Sequence, residues 1–192
     1  MKTNRGKGGM GTPSKKEISS TGNGNMEDSA FHMLFINELK DIYWAEKQLV
    51  KVMPKWPTKA YSDELKEAIE QHTHETNDQV TRLEKIFEKL NEKPTARKCE
   101  ALEGILRETD QLVDETPEQS LVRDVAIISC FQKIEHYEIA SYGTLRTMAQ
   151  VMNHHEAVEL LSITLDEEKN ADSTLTAIAK NFVNEPAKEE RR

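Results

Sequence analysis

The chain has 192 residues with a formal net charge of -8, and 36% of its residues are hydrophobic. This length suits one compact domain, or at most two, with a sizeable core. No stretch approaches the roughly 20 apolar residues of a membrane-spanning helix, which excludes a membrane protein. The N-terminus has no apolar secretion segment, so we expect a cytoplasmic protein. Cys99 and Cys130 form no CxxC motif and no Cys/His cluster, which excludes a disulfide scaffold and a thiolate zinc site.

Residues 1–27 differ in composition from the rest of the chain. They contain six of the eight glycines, several basic residues and almost no apolar residue. We therefore expect a disordered basic tail, which at most makes weak, non-specific contacts with nucleic acid phosphates. A solvated tail without a nucleic acid partner is the favoured alternative. Residues 185–192 are expected to form a charged C-terminal tail.

The remaining body, residues 28–184, has the apolar periodicity of helices and no competing strand pattern. Four long helices and one short helix between the second and the third are predicted. Four such helices can bury their apolar faces only against one another. The sequence therefore predicts an all-α, ferritin-like four-helix bundle with a short extra helix in the crossover between helices two and three. The predicted segments are Asp28 to Met53, Ser62 to Pro94, Ala101 to Val113 (the short helix), about Pro117 to Ala149, and about His155 to Val183.

Acidic residues interrupt the apolar face of each long helix near its midpoint. A buried, unpaired carboxylate costs several kcal/mol, so such a layer needs shifted pKa values or a compensating cation. A pair of metal ions shared by the four helices would compensate all of these carboxylates at once. Oxygen-rich ligation without thiolates favours iron or manganese over zinc or copper. The candidate ligands are Glu46, Glu75, Glu135, Glu138, Glu168 and Asp172.

The two halves of the body also repeat each other. The segment 42–46 aligns with 134–138, and 75–79 aligns with 168–172. Two related helical hairpins would place Glu46 against Glu138, and Glu75 against Glu168, about a pseudo-two-fold axis. A metal site on that axis is therefore expected.

Several motifs carry a resemblance to a known family. They are LKDIYWAEKQL at 39–49, HET at 74–76 with QVTRLE at 79–84, EHYEIASYG at 135–143, and EEK at 167–169 with Asp172. Together they resemble the YciF family of bacterial ferritin-like stress proteins. The resemblance implies a dimer-forming bundle with a dinuclear metal site and a role in the stress response. It matches Glu46, Glu75, Glu138 and Glu168 to the acids of the bundle core, and Glu135 to an additional carboxylate of rubrerythrin-like relatives.

The nitrogen ligands depart from the ferritin-like pattern. That pattern contains Glu-x-x-His on two helices, but Asp78 and Ala171 stand at the histidine positions. Gln79, Asp172 and His72 are the nearest candidates, so the nitrogen ligands stay open.

The favoured function is that of a stress-associated protein with two iron ions, or manganese, bridged by Glu75 and Glu168 and flanked by Glu46, Glu138 and Glu135. Such a site could reduce peroxide or dioxygen, although the residues leave enzymatic turnover open. Side chains expected to orient the ligands are Tyr43, His72 and Tyr142. The alternative is a non-enzymatic homodimer whose core acids form a hydrogen-bonded polar layer. A hollow iron-storage shell is disfavoured because the resemblance implies dimers.

Overall fold

The computed structural model describes residues 29–191. The predicted N-terminal tail, and with it any contact with nucleic acid, lies outside the described residues. Within them there are helices and connecting turns but no strand, which confirms the predicted all-α class. The principal helices are α1 (Ala30–Val52), α2 (Asp63–Lys89), α3 (Glu100–Asp114), α4 (Leu121–Val151) and α5 (His155–Ile178).

Local sequence signals account for the ends of these helices. The hydroxyl of Ser29 accepts a hydrogen bond from the backbone N–H of His32 and caps α1. Ser120 caps α4 in the same way, and its extended backbone makes that helix begin at Leu121 rather than near Pro117. After Ile178 the chain continues through a π-helical turn, Ala179–Val183, into a short α6, Asn184–Ala187. The predicted C-terminal tail therefore begins inside α6.

The four long helices form the predicted ferritin-like bundle. α1 packs on α2, and α4 packs on α5, so each pair joined by a short connection forms a hairpin. The hairpins meet through contacts of α2 with α5 and of α1 with α4, while α3 packs on α4. The crossover between α2 and α4 thus carries the predicted extra helix. Among residues 29–191, no helix is both long and apolar enough to cross a membrane.

The interior has apolar ends and a polar middle. Towards one end, the rings of Trp56 and Phe131 meet edge to face at a centroid distance of 4.4 Å. Along α4, apolar side chains precede and follow two fully buried acids, Glu135 and Glu138. The apolar ends stabilise the bundle and hold the polar layer away from water.

Candidate metal centre

Four buried side chains from three helices meet in the polar layer. His72 of α2, Glu135 and Glu138 of α4, and Glu168 of α5 each place one ligand atom within 4.8 Å of the others. His72 is 5% exposed and the three acids 1% or less. The Nε2 of His72 lies 3.3 Å from Glu135 Oε1 and 3.6 Å from Glu168 Oε2. We refer to these four residues as the His72 cluster.

The helix periodicity of α2 brings His72 into the cluster. Buried residues of α2 follow steps of three and four, from Ile69 through His72, Thr76 and Gln79 to Leu83. His72 therefore occupies a position that an apolar residue would otherwise fill. In α4, a spacing of three places Glu135 and Glu138 on one face, one turn apart.

Glu46 extends the layer to the fourth long helix. It is fully buried, and its Oε1 accepts a hydrogen bond of 2.5 Å from the hydroxyl of Tyr142. Burial raises the pKa of Glu46 well above its usual value, and the nearby Glu168 carboxylate raises it further. Glu46 is thus electrostatically linked to the His72 cluster, and each long helix contributes one or two side chains to the layer.

Most carboxylate oxygens of the layer lack a hydrogen-bond partner among the described residues. Both oxygens of Glu138, and one oxygen each of Glu46, Glu135 and Glu168, are buried without an N–H or hydroxyl donor. Glu46 and Glu138, and likewise Glu135 and Glu168, are close enough to share a proton when one of the two is protonated. Buried polar groups nearly always have a partner, because an unsatisfied group loses its hydration without replacement. A cation is the partner that suits several converging acceptors, so the residues present fit a metal site.

Another buried acid behaves differently. Asp124 of α4 is fully buried, yet its two oxygens accept hydrogen bonds from the backbone N–H groups of Tyr61 and Ser62 at 2.7 and 2.8 Å. It therefore holds the connection before α2 against α4. The missing partners at the His72 cluster are not a general feature of buried acids in this fold.

The pKa values in the layer reflect this crowding. Burial, together with neighbouring carboxylates, raises the pKa of Glu135 and of Glu138 well above the usual value. For His72, burial lowers the pKa, but the carboxylates of Glu75 and Glu168 outweigh burial and raise it. Without a cation the acids of the layer therefore keep their protons to a higher pH than exposed acids do, and a bound metal ion would displace these protons.

A hydrogen-bonded chain connects the layer to the surface of α2 and α5. The side-chain amide of Gln79 donates to Glu168 Oε1 and to Glu167 Oε2. Arg82 binds both oxygens of Glu167, at 2.5 and 2.7 Å, and also Thr164. This chain fixes the orientation of the Glu168 carboxylate.

Besides Glu46, two more of the predicted ligands lie outside the His72 cluster, Glu75 and Asp172. The side chain of Glu75 is 26% exposed, and its Oε2 lies 3.3 Å from the Nδ1 of His72. Asp172 accepts a hydrogen bond from Gln132 at 3.0 Å and lies 3.4 Å from the imidazole of His136. Their assignment as metal ligands stays a prediction. In the structure, Glu75 contacts His72, and Asp172 contacts Gln132 and His136.

Of the two tyrosines predicted to orient the ligands, one lies in the polar layer and the other lies outside it. Tyr142 contacts Glu46 within the layer, whereas the hydroxyl of Tyr43 donates to Glu84, on the partly exposed side of α2. The sequence places His72 and Gln79 on the apolar face of α2, but it does not indicate that His72 rather than Gln79 would join the cluster of buried acids. The sequence signal for a buried His72 is the helical spacing of three and four residues, which continues from Ile69 to Leu83 through polar residues.

Comparisons with known proteins agree with this fold. Residues 30–188 match the family described as "Domain of unknown function (DUF892)". The chain is 42% identical to Protein YciF of Escherichia coli K12 over 155 residues, which cover 80% of this chain and 93% of that protein.

Solved structures show the same relationship. The crystal structure of the E. coli stress protein YciF superimposes with a TM-score of 0.77 at 41% identity, covering 82% of this chain and 99% of that one. YcfI from Rhodopseudomonas palustris gives a TM-score of 0.76 at 37% identity, covering 79% and 96%. The chain is therefore a member of the DUF892 family and a relative of the stress protein YciF, as the motifs in its helices predict.

Proposed function

We propose that the protein binds two divalent metal ions, iron or manganese, in the polar layer and reduces peroxide or dioxygen there. The observation that carries this proposal is the set of buried carboxylate oxygens without partners around His72. The proposed ligands are Glu46, His72, Glu135, Glu138 and Glu168.

The charge of the layer supports two ions rather than one. Four buried carboxylates would carry four negative charges once their protons leave. The nearby cation Arg82 is already bound by Glu167. Two divalent cations would balance the four charges, whereas a single one would leave half of them uncompensated in a medium of low dielectric constant.

The ligand chemistry supports iron or manganese. Four carboxylates and one imidazole form a set of hard donors without thiolate, which suits these metals better than copper or zinc. A bound pair of redox-active ions would supply the electrons for the reduction of a peroxide or dioxygen.

The protein side chains prepare this site. Glu75 can accept a hydrogen bond from the Nδ1–H of His72, which makes Nε2 the unprotonated nitrogen and directs it at the cluster. The Tyr142 hydroxyl holds Oε1 of Glu46 and leaves its second oxygen without a partner. Gln79 donates a hydrogen bond to Glu168 and another to Glu167, and Arg82 in turn holds Glu167, so the carboxylate of Glu168 is restrained. The ligands are thus held before a metal ion arrives, which lowers the entropic cost of binding.

Metal content after anaerobic addition of ferrous iron tests the proposal. Mass spectrometry of the purified protein should find about two ions per chain. Glu168→Gln should lose this binding, and Glu159→Gln, an exposed acid on the same helix, should retain it. Wild-type protein that takes up no iron, or a Glu168→Gln variant with full content, would contradict the proposal.

A second candidate function is a structural dimer with a hydrogen-bonded polar layer. The bonds of Tyr142 to Glu46 and of Gln79 to Glu168 favour it, because they satisfy part of the layer without metal. Under this alternative, a chelator would leave the melting temperature of the purified protein unchanged. Under the metal proposal, a chelator should lower it.

We also propose that the chain forms a homodimer with a role in the stress response, as its relationship to the stress protein YciF suggests. Exposed apolar residues support self-association: Phe31 of α1 and Val151 of α4 are 42% and 67% exposed and line one groove with Ile139. Analytical ultracentrifugation should give the mass of two chains. A monomer at micromolar concentration would contradict the homodimer.

A further inference from the structure

A small cavity connects the surface to the His72 cluster. It lies between α2 and α5 and has a volume of about 40 Å³. Its rim includes the exposed Gln71, Asn170 and Thr174, and its floor includes the buried His72 and Glu135. Two members of the cluster are therefore reached from solvent through one opening.

The size of the cavity restricts what can pass. A water molecule needs at least about 10 to 15 Å³ of such volume, so the cavity holds only a few water-sized molecules. Ala68 of α2 and Ala171 of α5 are half-buried and line it. Larger side chains at these two positions would close the space between the helices.

The opening is also negatively charged. The carboxylate of Glu75 lines it, accepts a hydrogen bond of 3.0 Å from Gln71, and contacts the Nδ1 of His72. A cation that approaches Glu75 is therefore one side chain away from the cluster. Neutral molecules as small as hydrogen peroxide fit the same space.

We propose that this cavity is the entrance to the metal centre, and that Ala68 and Ala171 limit entry to metal ions and water-sized oxidants. The inference rests on the proposed function, since it assumes that the cluster binds metal. Organic hydroperoxides are excluded by their bulk. Ala68 and Ala171 act by size alone and touch no reacting atom.

The rate of cobalt(II) binding to the metal-free full-length protein tests the entrance. Stopped-flow absorption should show that Ala171→Leu and Ala68→Leu each slow cobalt association by about tenfold, because entry then requires a local opening of the helices. Dissociation should slow by the same factor and leave the affinity unchanged. Ala101→Leu, an exposed position on α3, should bind cobalt at the wild-type rate.

The outcomes separate the entrance from the site. Wild-type rates in both Leu variants would refute the entrance while leaving the metal site intact. A loss of affinity without slower association would also refute it, because a structural role would then explain the effect. A wild-type chain that binds neither cobalt nor iron would overturn the proposed function and the entrance with it.

A comparison of peroxides tests the size limit. Reduction of hydrogen peroxide would take one electron from each of two bound ferrous ions, break the O–O bond and consume two protons from solvent to give two water molecules. The iron-loaded wild-type protein should discriminate against tert-butyl hydroperoxide at least about tenfold more strongly than free ferrous iron does. Equal discrimination by protein and free iron would overturn the size limit.

Discussion

Replacement of Glu138 by Gln should have opposite effects on the metal-free and the metal-loaded protein. Glu138 is fully buried, and neither of its oxygens has an N–H or hydroxyl donor among residues 29–191, where its neighbour is the carboxyl group of Glu46. Burial and three neighbouring carboxylates raise its pKa well above 4.5. Gln has the same shape but carries no charge and needs no proton. The substitution therefore removes a destabilising group from the metal-free fold and a ligand from the metal-loaded one.

The magnitude follows from the proton that Glu138 must keep. At pH 7, about 2.5 units above the pKa of an exposed Glu, holding this proton costs up to about 3.5 kcal/mol, since each unit is worth about 1.4 kcal/mol. A buried amide with incomplete hydrogen bonds costs about 1 to 2 kcal/mol in return. Glu138→Gln should therefore raise the free energy of unfolding of the metal-free protein by about 1 to 2 kcal/mol. The melting temperature should rise by roughly 2 to 8 °C.

Thermal unfolding with and without metal measures both effects. In chelator, Glu138→Gln should melt above the wild type. In manganese(II) at about one hundred times the dissociation constant, each of the two proposed ions should add about 2.7 kcal/mol to the wild type, about 5 kcal/mol together, and little to the variant. Glu159→Gln, which removes an exposed acid from α5, should differ from the wild type by less than about 0.5 kcal/mol in either condition.

Two results would refute this reasoning. Glu138→Gln stabilises the metal-free fold only if the Glu138 carboxyl group is unsatisfied there, so a clear loss of stability in chelator would assign Glu138 to a structural hydrogen-bonded layer. An equal gain from manganese in the wild type and the variant would place the metal elsewhere.

Two further predictions follow from the buried acids. The metal-free wild type should become less stable to urea as the pH rises from about 5 to about 8, because burial raises the pKa values of Glu46, Glu135 and Glu138 in the folded protein. Each of these acids makes its full contribution to stability below its pKa in the unfolded chain. That contribution is lost as the pH rises through its pKa in the folded protein. Stability that increases over this range in chelator would contradict these shifts. Asp124→Asn should destabilise the fold by about 1 to 3 kcal/mol through its bonds to the α2 N-terminus, yet leave iron content unchanged; a loss of iron like that of Glu168→Gln would contradict this separation.

The fold could be predicted because its signals are local. The elements are marked within a few residues by the apolar spacing of each helix, by Pro54 after α1 and by Ser62 at the N-cap position of α2. The start of α4 was less predictable, because Ser120 rather than Pro117 forms the cap. The change from α- to π-helix after Ile178 has no sequence signal of this kind.

The site was predictable only in part, because it depends on the rotation of each helix. The internal repeat pairs Glu75 with Glu168, yet only Glu168 is fully buried. In α2, the apolar residues Ile69 and Leu83 direct Thr76 to the core, and Glu75 is one residue, about 100°, away from that face. Aligned motifs fix which residues correspond, but the apolar neighbours decide which of them face inward.

Because α2 departs from the internal repeat, the two sides of the polar layer carry different kinds of side chain. On the side of α1, α4 and α5, fully buried carboxylates face one another, and Tyr142 restrains one of them. On the side of α2, His72 replaces a carboxylate, and Glu75 is left at the opening, in contact with its Nδ1. A symmetric pair of buried glutamates would bring one more negative charge into the core and leave the opening without a charged side chain. The departure of α2 from the repeat therefore lowers the buried charge and places an acid at the opening that we propose as the entrance for a cation.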